Sequence, residues 1–288
     1  MKAAPFDGTL EPATFYAGAP EEEALARLEW LVDEQQRFAL VVGAEGCGKS
    51  HLCTTAVRRL GGRGAEAALL SLGGLSPGDW IEMLLERLPL DAASRAEPLR
   101  PWQKLENRLR ENTLMERTTV LVFDDVDRAP DDAVDGIARL LGAAEPRFAR
   151  LAVVATATPV GAAALPVGLR DRAAVRVELD PWDARDVEGF LARALARVGG
   201  RDDIFTPEAT ATLARFTGGV PRMVARLAHL ALVAAAGDHL ERVDAATIER
   251  AWRELAPDAL MPGPGMAGDD PDEPAVNPRV RVVRRLWA

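Results

Sequence analysis

F-A-L-V-V-G-A-E-G-C-G-K-S-H-L-C-T-T-A-V-R-R-L, residues 38–60, is the stretch on which the fold turns. Phe38 to Val42 is a continuous apolar run closed by Gly43, the pattern of a strand buried on both faces. Ser50 to Leu60 reads as a helix, so the order is strand, glycine loop, helix. The loop itself, Gly43, Ala44, Glu45, Gly46, Cys47, Gly48, Lys49 and Ser50, satisfies G-x-x-x-x-G-K-[ST] in full. Glycines at those positions let the backbone curl until successive N–H groups face phosphate oxygens, and the dipole of the following helix adds positive potential at the same point. In that geometry Lys49 reaches the β and γ phosphates of a nucleotide and the Ser50 hydroxyl ligates magnesium. His51, the first residue beyond the loop, completes the expected nucleotide-contact set.

A second apolar run, V-L-V-F-D-D-V-D from Val120 to Asp127, passes straight into carboxylates. A buried parallel strand that ends in two acids sets charge at the carboxyl edge of the sheet, where ligands of open α/β sheets bind. Asp124 is expected to hold the magnesium, directly or through water, and Asp125 stands at the position of the acid that activates the attacking water. Glutamate is the usual residue there. Aspartate is shorter by one methylene, which predicts slow hydrolysis. Asp125 and Asp127 also read as an acidic turn capping the next helix.

Further buried strands are predicted at Ala67 to Leu72, Thr119 to Phe123, Leu151 to Thr156 and Ala174 to Leu179, with helical segments between them. Strands alternating with helices imply an α/β fold with a doubly wound parallel sheet. Before the first strand, Pro20 and the acids Glu21, Glu22 and Glu23 open an amphipathic helix with Leu25, Leu28, Leu31 and Val32 on one face. After Asp180 the strand signals stop. Four helices are predicted near Ala184 to Val198, Pro207 to Phe216, Pro221 to Ala236 and Ala245 to Leu255, with Thr206 and Asp244 as N-caps. The organisation expected is an extended leader at 1–19, an α/β core at 20–180, a small all-helical lid at 181–256, a disordered linker at 257–278 and a basic tail at 279–288.

Composition narrows the function classes. The chain of 288 residues carries 35 Lys and Arg against 44 Asp and Glu, a net charge of -9 that disfavours a protein whose affinity comes mainly from neutralising nucleic-acid phosphates. Lys2, Lys49 and Lys104 are the only lysines, which makes the place of Lys49 conspicuous. The two cysteines, Cys47 and Cys53, fall in the loop and its helix, so no disulfide framework is expected and a reducing, cytoplasmic setting fits. Nothing resembles a signal peptide or a membrane span. His51, His229 and His239 lack ligand spacing, which leaves magnesium as the only metal expected.

With both acidic and glycine-rich sites in view, the chain resembles the AAA+ ATPases, and within them is similar to the ExeA-type group, relatives of transposition ATPases. The leader P-F-D-G-T-L-E-P-A-T-F-Y from Pro5 to Tyr16, the following E-A-L-A-R-L, and F-T-G-G-V-P-R from Phe216 to Arg222 carry the likeness, which runs over residues 5–256. A weaker similarity links the paired acids and G-V-P to signal-transduction ATPases of the STAND kind. The resemblance implies a P-loop NTPase core, ATP or ADP with Mg2+ as ligands, and ATP hydrolysis. It implies that Thr156, with Thr158 beside it, holds the attacking water at the sensor position. L-R-D-R, Leu169 to Arg172, supplies an arginine, Arg170 or Arg172, to the γ-phosphate of a neighbouring subunit, and Arg222 reads phosphate from the lid. An ATP-dependent homo-oligomer follows if one of those arginines acts in trans.

The leading expectation is therefore an ATPase whose cycle moves the lid and switches or remodels a macromolecular partner, expected to be a protein. The alternatives are a nucleotide-dependent switch that hydrolyses very slowly, an accessory ATPase of DNA transposition, which the net charge disfavours, and more remotely a nucleotide kinase. For the tail R-V-R-V-V-R-R-L-W-A, a strand added to a partner's sheet, a docking peptide and contact with an anionic polymer compete.

Overall fold

The computed structural model of the chain describes residues 5–6, 12–142 and 149–255. The expected linker and tail lie outside the described residues. Residues 12–180 form one compact unit, and residues 5–6 with 181–255 form another.

The first unit is built on five strands, β1 (Phe38–Val42), β2 (Glu66–Ser71), β3 (Thr119–Asp124), β4 (Leu151–Ala157) and β5 (Val175–Glu178). All pairings are parallel and the order across the sheet is β2-β3-β4-β1-β5. In register, Val41 lies opposite Thr156 of β4 and Ser71 opposite Asp124 of β3. Helix α1 (Ala19–Asp33) precedes β1, and α2 (Lys49–Gly62), α3 (Asp79–Arg87), α4 (Ala92–Ala96), α5 (Pro101–Leu114), α6 (Asp131–Gly142), α7 (Pro159–Ala164) and α8 (Val167–Arg170) lie in the connections between strands.

Alternation of side chains along β1 explains why the sequence there is apolar throughout. Phe38, Leu40 and Val42 enter a core with Leu70, Trp80, Leu121, Phe123 and Ile137, while Ala39 and Val41 enter the opposite core with Leu25, Leu28, Leu52, Val122 and Val154. Each Val, Leu, Ile or Phe among them contributes roughly 1.5–3 kcal/mol when fully buried. The three central strands are buried at every position, but β2 and β5 are not. Both are edge strands. Arg176 and Glu178 of β5 face solvent, so the expectation of two-faced burial holds for the middle of the sheet only.

At the other edge, Glu66 opens β2 as a buried carboxylate. Arg108 of α5 meets it with two bonds, Nε to Oε1 at 2.9 Å and Nη2 to Oε2 at 2.5 Å. Asn112 donates to the Thr119 hydroxyl at 2.9 Å one turn further along α5. These polar contacts fix α5 against the starts of β2 and β3.

The helical unit contains α9 (Ala184–Arg197), α10 (Pro207–Thr217), α11 (Pro221–Gly237) and α12 (Ala245–Leu255). Thr206 caps α10 through the Ala209 N–H, and Asp244 accepts from the Thr247 N–H at 2.8 Å, as expected of both residues. Asp183 caps α9, a role the sequence did not flag. Phe216 and Trp252 stack with ring centroids 5.5 Å apart. Gly219 lies in the left-handed region at φ 72°, and a Cβ there would fall 1.9 Å from the Trp182 carbonyl oxygen.

The leader divides between the units. Phe6 packs against Phe190 and Phe205 in the helical unit, with ring centroids 5.7 and 6.2 Å away, whereas Pro12–Thr14 forms a 3-10 turn and Phe15 joins the core that covers α2. Among the described residues, no helix is long and apolar enough to cross a membrane.

Candidate nucleotide-binding site

The glycine loop leaves β1 at the carboxyl edge of the sheet. Gly43 is held so closely that a Cβ would lie 2.9 Å from the Leu179 carbonyl oxygen, and its N–H bonds to the Ala157 carbonyl at 3.2 Å. Gly46 and Gly48 take φ of 83° and 91°, conformations open to glycine and costly for other residues. Gly48 is the N-cap of α2 and carries no side chain, so no side-chain cap satisfies the first amides of that helix. Those amides and the positive end of the helix dipole therefore face the loop. Lys49 is buried, and its Nζ donates to the Gly43 and Ala44 carbonyls at 2.8 and 3.2 Å. Ser50 lies in the first turn of α2, and its carbonyl accepts the Thr54 hydroxyl. His51 sits edge-on to Phe15, 5.0 Å between centroids, which brings the leader to the loop.

Cys47 is fully buried in the core beneath the loop. Burial pushes its thiol up to about 11, and Cys53 is raised as well, so neither supplies thiolate at neutral pH.

Opposite the loop, β3 ends in Asp124, buried at 4% exposure. Thr156 of the adjacent β4 donates its hydroxyl to Asp124 Oδ1 at 2.5 Å and accepts the Asp125 N–H at 2.9 Å. One buried hydroxyl thus fixes both acids. Asp125 has left-handed backbone angles, φ 57° and ψ 48°, and starts a 3-10 turn at Val126–Arg128. Burial, reinforced by the neighbouring Asp124, holds its carboxyl above the ordinary aspartate range, while Lys49 and Arg128 pull it partly back. Arg128 forms an ion pair with Glu45, joining the turn to the tip of the glycine loop.

Neither Asp125 nor Asp127 caps a helix. Asp125 makes no side-chain cap bond, and Asp127 Oδ2 instead accepts both the N–H and the hydroxyl of Thr158, at 3.0 and 2.5 Å. Thr158 caps α7 through the Gly161 N–H. It therefore serves the start of α7, and Thr156 alone of the two threonines touches the acids.

The two candidate arginines end in different places. Arg172 donates from Nη1 to the Ala138 carbonyl in α6 at 2.9 Å. Arg170, the last residue of α8, donates to the Ala163 carbonyl of α7 at 3.0 Å. Arg222 is exposed in the first turn of α11, within the helical unit. The loop, Lys49, Asp124, Asp125 and Thr156 are gathered at one edge; Arg170 and Arg172 are anchored on neighbouring helices of the same unit.

Among the described residues no group of three or more His, Cys, Asp or Glu side chains is arranged to hold a metal. Asp124 at the end of β3 and the hydroxyl-bearing Ser50 in the first turn of α2 are the oxygen donors expected to hold a metal. That donor set fits magnesium, which keeps several waters and binds through one or two protein oxygens and substrate phosphate.

A parallel five-stranded sheet in this order, with a glycine loop after β1 and paired acids after β3, is the architecture of the P-loop α/β fold. Residues 32–163 match the family model described as an AAA domain. Over 237 residues the chain is 25% identical to General secretion pathway protein A of Aeromonas hydrophila, covering 80% of this chain and 43% of that protein. That match bears out the likeness to the ExeA-type group, and the chain spans less than half the length of this relative. Solved structures with the same fold include CDC6P from Pyrobaculum aerophilum (TM-score 0.67, 15% identity, 86% of this chain and 71% of that one) and the ORC2 protein of Aeropyrum pernix (0.65, 15%, 88% and 72%). The RuvB Holliday junction branch migration motor of Thermotoga maritima is similar at TM-score 0.55 and 14% identity, over 83% of this chain and 69% of that one.

Proposed function

We propose that this chain binds Mg-ATP at Gly43–Ser50, hydrolyses it slowly, and uses the cycle to move its helical unit and so switch or remodel a macromolecular partner. The observation that carries the reading is the Thr156 hydroxyl, which holds Asp124 and the Asp125 backbone together at the edge that also bears Lys49. In this reading the phosphates lie on the loop amides and the N-terminus of α2, and Lys49 exchanges its two carbonyl partners for phosphate oxygens. Ser50 and Asp124 are the residues that would hold magnesium, which supplies Lewis-acid polarisation of the phosphate oxygens. Asp125 takes a proton from the attacking water as the water oxygen bonds to the γ-phosphorus and the bond to the ADP oxygen breaks. Its raised proton affinity suits a base, and its short side chain suits a low rate. Arg222 carries phosphate sensing in the helical unit, and Arg170 or Arg172 acts on the γ-phosphate of a neighbouring copy; Arg170 is taken first because its partner helix α7 starts beside the acid turn.

A second reading, a switch that holds nucleotide with negligible turnover, is favoured by the position of Asp125. Its Oδ2 lies 3.6 Å from where a Gly73 Cβ would stand, so the carboxylate leans toward the end of β2. A protein partner fits the net charge of -9 better than duplex DNA, and the similarity to a general secretion protein points to the same class. Two free, buried cysteines support a reducing setting on the cytoplasmic side.

Binding is tested by titrating a fluorescent ATP analogue into wild type and Lys49→Ala, with and without magnesium. The reading expects saturable, magnesium-strengthened binding that weakens about tenfold or more in Lys49→Ala, a loss of at least ~1.4 kcal/mol. Equal binding by both proteins would remove the assignment of the loop.

A further inference from the structure

We propose that Asp127 is a positioning residue: through Thr158 and α7 it sets Arg170 according to the state of the acid turn. The inference rests on the reading of Arg170 given above and adds to it a physical connection from the chain's own site.

The connection is continuous in named contacts. Asp125, with its left-handed backbone, begins the three-residue turn Val126–Arg128. Asp127 in that turn accepts both polar hydrogens of Thr158 on the single oxygen Oδ2, a charge-assisted pair of bonds. Its other oxygen, Oδ1, is buried without a hydrogen-bond partner, so Thr158 is its hydrogen-bonding contact. Behind Thr158 the first turn of α7 touches the turn directly. A Cβ on Gly161 would stand 1.9 Å from Asp127 Oδ2 and 2.2 Å from its Cβ, so only hydrogen fits between them. From α7 the Ala163 carbonyl accepts Arg170 Nη1 at 3.0 Å, and Arg170 Nε is buried without a partner.

The elements in this path are short. With six residues in α7 and four in α8, neither helix has much stability of its own, and their anchors decide where they lie. A shift of the acid turn must therefore move the start of α7, because close-packed contacts transmit displacement and do not absorb it. Arg170 hangs from the far end of the same helix. The structure thus links the nucleotide state of one copy to the arginine that copy presents, and Asp127 is the joint.

The test separates donating Arg170 from hydrolysing ATP. Full-length Arg170→Ala serves as acceptor, able to hydrolyse but with no Arg170 to give, and full-length Asp125→Asn serves as donor, with its own chemistry disabled. The mixture is expected to hydrolyse ATP where neither protein does alone. Adding Asp127→Ala to the donor is expected to cut the restored rate by about ten- to a hundredfold, the scale of a misplacement near 1 Å. The donor's nucleotide affinity should stay the same. Thr158→Ser in the donor, which keeps the hydroxyl, should restore the rate as well as the Asp125→Asn donor alone. Asp127→Asn replaces Asp127→Ala if the alanine donor has a lower thermal midpoint; it keeps a neutral acceptor for Thr158 and loses the charge, so a smaller drop in the same direction is expected of it, and an unchanged rate would overturn the inference. An inactive mixture of the first two proteins overturns the Arg170 reading and this inference with it. A mixture equally active with and without the Asp127 change overturns the inference alone.

Discussion

The Thr156 hydroxyl lies 2.5 Å from Asp124 Oδ1 and also accepts the backbone N–H of Asp125. Because β4 sits between β3 and β1, the last two residues of β4 bridge them: Thr156 touches the acids and the Ala157 carbonyl accepts the N–H of Gly43 in the glycine loop. Thr156→Val keeps the shape and deletes both bonds. A buried carboxylate that loses its partner costs roughly 1–3 kcal/mol. Thermal unfolding of this variant should move down accordingly, and hydrolysis should fall by about ten- to a hundredfold if the acids lose their geometry. Thr156→Ser should recover most of both. Wild-type rate and stability in Thr156→Val would show that the hydroxyl positions nothing.

Two glycines are held by steric closeness, and a third supplies the control. Gly161→Ala drives a methyl into Asp127, and Gly219→Ala drives one into the Trp182 carbonyl from a left-handed backbone. Each should destabilise its unit by about 1–3 kcal/mol. Gly168 in α8 has nothing within 4 Å of its would-be Cβ, so Gly168→Ala should be neutral or stabilise by up to ~1 kcal/mol. Chemical denaturation of the three variants checks the ranking, and an equal loss in all three would contradict the packing described.

The cysteines give a measure of how firmly the loop is seated. Cys47 and Cys53 are buried, and burial raises both thiols, Cys47 to about 11. At pH 7.5, a value chosen near neutrality, a thiol-alkylating reagent should leave both unmodified in the folded protein and label both in denaturant, as read by mass spectrometry. Rapid labelling of Cys47 in the folded protein would mean that the loop opens readily.

Much of this architecture is legible from the sequence, for identifiable reasons. The central strands are unbroken apolar runs because both faces of β1, β3 and β4 are covered, and the glycine loop declares itself by residue type and spacing alone. Edge position depends on strand order, which is tertiary. Even so, V-R-V-E at Val175–Glu178 alternates, and that signal marks an edge once weighed against the runs. The partners of the acid turn were not legible. Asp127 and Thr158 are 31 residues apart, and Arg128 and Glu45 are 83 apart, so those bonds exist only after β3 and β4 lie side by side beside the loop. Arg170 and Arg172 are equivalent in the sequence. The fold separates them, since Arg172 closes onto α6 and Arg170 onto α7. The leader reads as one segment, but Phe6 and Phe15 are aromatic anchors in different units.

Steady-state ATP hydrolysis by the purified wild type, with Lys49→Ala and Asp125→Glu beside it and nucleotide occupancy measured in each, tests the central claim most directly. Slow turnover in the wild type, lost in Lys49→Ala and faster in Asp125→Glu, is the predicted result. A wild type that neither binds nor hydrolyses ATP, or turnover that survives Lys49→Ala unchanged, would contradict it.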